Sequence, residues 1–150
     1  MAFEPDLETE AAALPTEDDD EESTQERLLT EMTQALRSLE ANTKGVFGSA
    51  VVDGDGFPIA WDLKGGTQQS SVALLGATLR EQLDRSSTIL DLGDFSSGLV
   101  KFDKGYLGIF DLKTDDLFLV ILAGSQVNIM DLLLENDAVL RELKEILGGG

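Results

Sequence analysis

The segment VFGSAVVDGDGFPIAWDL, Val46 to Leu63, holds two short apolar runs parted by Asp53-Gly54-Asp55-Gly56. Asp-Gly pairs between apolar runs are a strong hairpin signal, because Gly enters positive φ at little cost. The first run, Val46–Val52, is continuous, small and β-branched, which suits a strand covered on both faces. The second, Phe57–Leu63, alternates: Phe57, Ile59, Trp61 and Leu63 are expected on one face, which favours Trp61 in the core over an exposed binding spot. Pro58 has no N–H to give to a ladder, so this strand is expected at a sheet edge.

Working outward, residues 23–45 read as a helix. Ser23-Thr24-Gln25-Glu26 fits a capping box, so the helix is expected to start near Ser23. Leu28, Met32, Ala35, Leu36 and Leu39 share one face at helical spacing, and Gly45 is available for a left-handed cap. After the hairpin and the turn Lys64–Thr67, a long helix is expected from about Gln68 to Leu90, capped by Thr67 or Ser70. It carries two rows. One is large and apolar: Val72, Leu75, Leu79, Leu83. The other is small: Ala73, Gly76, Ala77, then Arg80. The small row suits close approach, either of a second helix or of the chain's own sheet. Three strands follow, Gly98–Phe102, Tyr106–Leu112 and Leu117–Ala123, joined by hairpin-length turns into an antiparallel meander. The run LFLVILA is apolar throughout and is expected at the sheet centre, while Lys101 marks Gly98–Phe102 as an edge. A last helix begins after Gly124-Ser125. Its face is expected to hold Ile129, Leu132, Leu133, Leu140, Leu143, Ile146 and Leu147, with a bend or split at Asn136-Asp137. The order α-β-β-α-β-β-β-α predicts an α+β fold, a three-layer α/β/α sandwich on a five-stranded antiparallel sheet.

Composition narrows the chemistry. The 150 residues include no Cys and no His, which removes disulfides, thiol nucleophiles, imidazole bases and Cys/His zinc sites. No apolar run is long enough for a membrane span, and the acidic start does not read as a signal peptide, so a cytoplasmic protein is expected. The net charge is −18, and ten of the 29 acids lie in residues 1–24, which hold no base. Nucleic-acid binding is not expected, since it needs clustered Lys and Arg. Residues 1–22 read as a disordered acidic tail, either solubilising or serving as an electrostatic arm. Residues 23–147 form the expected domain, and residues 148–150 a flexible Gly terminus.

The run Gly48-Ser49-Ala50-Val51-Val52-Asp53-Gly54-Asp55-Gly56-Phe57-Pro58-Ile59-Ala60 resembles the Roadblock/LC7 family: a small-residue strand, an Asp-x-Asp/Glu-Gly turn, then apolar-Pro-Ile-Ala. The element order agrees over about residues 24–147. This resemblance implies a profilin-like sandwich and a two-fold dimer, in which third strands pair edge to edge and long second helices lie alongside. On this chain the implied dimer interface is Gly98, Leu99, Val100, Lys101 and Phe102 with Ala73, Gly76, Ala77 and Arg80. The family, which includes dynein light chains, lysosomal scaffolds and bacterial MglB-like activators, binds small Ras-like GTPases or serves as a platform in assemblies. The implied partner contacts are Ala73, Ala77 and Arg80 on the paired helices. One departure stands out: bacterial activators often carry an Asn among alanines on that helix, and Val72–Arg80 holds none.

Other motifs carry less. Asp53-Gly54-Asp55-Gly56 looks like the opening of a calcium loop, but the twelfth position, which needs a bidentate Glu, is Lys64. There is no G-x-x-x-x-G-K-[ST] for a bound nucleotide. Asp115-Asp116 falls in a tight turn, where Asp suits the geometry better than acid–base work. Arg80, set inside a helix, reads as an interface salt bridge rather than an arginine finger. No cofactor and no metal site are expected, and the chain reads as a non-catalytic homodimeric binding module for a small GTPase. The alternatives are a scaffold subunit without GTPase regulation and, weakest, a carboxylate-based metal-assisted hydrolase.

Overall fold

A computed structural model describes residues 17–148. The elements are α1 (Glu17–Asn42), β1 (Val46–Asp53), β2 (Pro58–Leu63), α2 (Gln69–Leu90), β3 (Ser97–Phe102), β4 (Gly105–Asp111), β5 (Leu117–Gly124) and α3 (Ile129–Leu147). All neighbouring strands are antiparallel, in the order β2-β1-β5-β4-β3. The apolar β5 takes the centre, and β2 and β3 take the edges, as their sequences require.

The sheet separates two cores because alternate strand residues point to opposite faces. On one face Val51, Phe110, Leu119 and Ile121 meet Met32, Ala35, Leu36 and Leu39 of α1 and Leu132, Val139 and Leu143 of α3. On the other, Ala50, Val52, Leu107, Ile109, Phe118 and Val120 meet Val72 and Ala73 of α2. Each large side chain so buried contributes roughly 1.5–3 kcal/mol.

The β1–β2 turn is built by Asp53. Its Oδ1 accepts from the N–H groups of Asp55 and Phe57, both at 3.0 Å. Gly56 supplies the positive φ of 91°. The expected side-chain pattern of β2 is not what forms. The register slips between Val51, which faces Ala60, and Val52, which faces Pro58, so Ile59 is an extra residue. A bulge of this kind breaks the period of two. Ile59 and Ala60 therefore both serve the α1/α3 core, while Trp61 sits opposite Ala50 on the α2 face and is 40% exposed. Trp61 is not a core residue.

Other boundaries also differ. α1 begins at Glu17, upstream of the expected Ser23, and Ser23 lies within it. A run of acids at a helix start suits the positive end of its dipole, which favours the earlier beginning. The N-terminal residue flanking α2 is Gln68, with no side-chain cap from Thr67 or Ser70. α3 is continuous through Asn136-Asp137, because Asn136 is buried within its core-facing row; it is capped by Asn128, whose side chain accepts from the Asp131 N–H at 3.0 Å. The expectations for residues 1–16 and for Gly149 and Gly150 lie outside the described residues.

Candidate interaction surface

The two rows of α2 take opposite roles. Ala73 is fully buried, and Gly76 lies against β5: a Cβ there would stand 2.9 Å from Val120 Cγ2 and 3.0 Å from Phe118 Cε2. Small residues face inward because the sheet beneath them is bulky. Of the two readings of the small row, close packing on the chain's own sheet is the one that forms. Ala73 and Gly76 are therefore not on a surface that another molecule can reach, which corrects their implied place in the dimer and partner contacts. Ala77 is half-buried beside Gly56.

The large row turns outward after Val72, which is buried with Ala73 in the core. Leu75 is 47% exposed, and Leu83 is exposed while lying over Gly98 of β3. Leu79 packs partly on the core. Beyond them Ile89, Leu90 and Leu92 are exposed, and on the same side of the sheet so are Val100 and Phe102 of β3. Phe102 is 55% exposed. Among the described residues β3 pairs only with β4, which leaves its outer backbone edge open to them. Gly98 and Leu99 are half-buried, and Val100, Lys101 and Phe102 are exposed along that edge. A long apolar helix face beside an open strand edge is a surface that monomeric proteins rarely leave bare. Leu75 and Leu83 were visible in the sequence as a row. Ile89, Leu90 and Leu92 were missed, and their only local signal is apolarity running to the helix end.

Arg80 is tied within its own chain. It bonds Asp111 Oδ2 at 3.2 Å and Asp116 Oδ1 at 2.9 Å, and lies over the Phe118 ring, 5.2 Å from the centroid. Burial alone would lower its pKa; the hydrogen bond it donates to Asp116 and the charges of Asp111, Asp116 and Asp84 outweigh this and raise it. The expected interface salt bridge is thus an internal one. Asp116 itself packs against Gly54, where no side chain would fit. The β4–β5 turn that delivers it holds Lys113, Asp115 and Asp116 at positive φ. Such strain in non-Gly residues persists only where surrounding contacts impose it. An open cleft of about 320 Å³ next to Arg80 is lined also by Asp84, Asp94, Asp111 and Lys113, whose Nζ donates to the Phe95 carbonyl at 2.6 Å. Among the described residues no group of three or more acidic side chains is placed to hold a metal ion, and no helix is long and apolar enough to cross a membrane.

A model of the Roadblock/LC7 domain matches residues 32–123, more than half of the chain. The chain belongs to the Roadblock/LC7 family. Solved Roadblock/LC7 folds agree in architecture. A Roadblock/LC7 domain from Streptomyces avermitilis is 16% identical, with a TM-score of 0.72 over 77% of this chain and 96% of that one. Myxococcus xanthus MglB is 16% identical, with a TM-score of 0.75 over 81% and 90%. Myxococcus xanthus MglC is 18% identical, with a TM-score of 0.55 over 77% and 98%. At these identities the likeness shows the fold. No curated protein sequence matches the chain. In Roadblock/LC7 terms, α2 is the long second helix and β3 the third strand, the two elements that carry the exposed apolar surface.

Proposed function

We propose that the chain is a non-catalytic binding module. It pairs with a second copy through β3 and the outer row of α2, and presents the doubled surface to a small Ras-like GTPase. The observation that carries this is the exposure of Leu75, Leu83 and Leu90 on α2 and of Val100 and Phe102 on β3, with Leu83 lying over Gly98 beside a strand edge that no other described strand pairs. A two-fold contact is self-complementary, so one apolar face per protomer covers its mate. Membership of the family supports the same reading, and MglB is also known in a tetrameric arrangement. With Ala73 buried, GTPase contacts fall to outward groups of α2.

Sedimentation of the full chain tests the pairing, and a GTP-hydrolysis assay with a Ras-like GTPase tests the regulation. A dimer that accelerates hydrolysis supports the whole reading. A dimer that captures the GTPase without acceleration supports the scaffold reading instead, which two features favour: Val72–Arg80 holds no Asn, and Arg80 is held by its own acids. A monomer at micromolar concentration overturns both.

A further inference from the structure

On the α1/α3 side, the structure buries polar groups that the binding surface does not use. The Glu40 side chain, in the last turns of α1, is only 4% exposed. Ser49 of β1, fully buried, donates its hydroxyl to Glu40 Oε2 at 3.1 Å. Ser49 sits directly opposite Asp62 of β2, so both side chains rise toward the same helix turn, which brings the Asp62 carboxyl within reach of that of Glu40. Glu40 Oε1 is buried and has no hydrogen-bond partner among the described residues. Lys64, from the β2–α2 turn, stands 3.7 Å away and is 65% exposed. From α3 the buried polar residue on this side is the neutral Asn136. Two carboxyl groups can bond each other only if one carries a proton.

We propose that Glu40, Ser49 and Asp62 form a proton-dependent latch that seats the C-terminal end of α1 on the edge strand β2. With the proton in place, Glu40 donates to Asp62 and accepts from Ser49, and the buried group is satisfied. When the proton leaves, the buried Glu40 carboxylate faces the partly exposed one of Asp62, opposed by one exposed lysine. Burial first, then the hydrogen bond and charge of Asp62, push the Glu40 pKa up to about 7 against the weaker pull of Ser49 and Lys64. The sign follows from linkage. The folded state holds this proton more tightly than the unfolded chain. The latch therefore contributes fully below the ordinary carboxyl range and is lost as pH rises through 7. The chain has no His and no Cys. Between about pH 5.5 and 8.5 the chain therefore offers no imidazole or thiol to titrate.

The test is thermal unfolding of the full chain across pH 5.5–8.5, with Glu40→Gln and Asp62→Asn alongside. Each variant replaces a carboxyl by an amide that bonds the remaining one without a shared proton. The wild-type midpoint should fall by on the order of 5 °C across this range, and both variants should lose most of that slope. Carboxyl ¹³C NMR of the wild type should show Glu40 titrating near neutrality, and fluorescence of Trp61, next to Asp62, should move with the same midpoint. A flat wild-type profile, an unchanged slope in Glu40→Gln, or a Glu40 resonance titrating below pH 5.5 would each overturn the latch. Should a variant not fold, the NMR titration decides alone.

Discussion

Replacing Gly76 by Ala sets two known effects against each other. In a helix interior Ala is favoured over Gly by about 1 kcal/mol. Yet the new methyl would lie 2.9 Å from Val120 Cγ2 and 3.0 Å from Phe118 Cε2, where apolar carbons prefer roughly 3.5–4.0 Å. Neither neighbour can move away easily. Val120 is β-branched and fully buried on the central strand, and Phe118 is fully buried with the Arg80 guanidinium over its ring. The helix would have to lift by about half an ångström along its contact with the sheet. Overpacking of this kind costs about 1–3 kcal/mol. We expect Gly76→Ala to be net destabilising by about 1 kcal/mol, and Gly76→Leu by about 3 kcal/mol or more. Urea unfolding of the full chain at two protein concentrations measures this and separates folding from self-association. Thr78→Ala, on the exposed side of the same helix, serves as the propensity control. If Gly76→Ala stabilises the protein by the full helix propensity, the reasoning is refuted and the small row does not rest on β5. If Gly76→Leu keeps its stability but loses its partner copy, the small row is an interface between protomers after all.

Three further outcomes follow from the same geometry. Arg80→Ala strands Asp111, whose side chain is 11% exposed, and should cost roughly 2–3 kcal/mol in urea unfolding, with Arg80→Lys recovering less than half. Phe102→Glu places a charge on the open β3 surface; sedimentation should show self-association weakened on the order of 100-fold while monomer stability changes by about 0.5 kcal/mol or less. Trp61→Ala should cost under about 1.5 kcal/mol, because the ring stands partly in water; a loss of 3–5 kcal/mol, the range for a core Trp, would contradict its placement.

Arg80 illustrates how far local reading reaches. Its place on the small row of a helix was plain, but its acids come from the end of β4 and the turn after it, more than thirty residues on, so its role as an internal tie was invisible. Glu40 is similar. In the sequence it is one acid among many near a helix end, and only the pairing of Ser49 with Asp62 brings a second carboxyl to it. The bulge at Ile59 is a third case. Alternation is a property of one strand, whereas a bulge is a property of a pair, and it moved Trp61 out of the core.

The order of elements was set by short-range signals that need no partner. Asp53 and Gly56 make a turn wherever they stand, Pro58 cannot join a central ladder, and LFLVILA has no face to offer water. Those preferences act within a few residues, so the linear chain contains them in full. The face that α2 buries was decided only in three dimensions. Both its rows are apolar and helically spaced, and the small one won because Phe118 and Val120 had already filled the space beneath it.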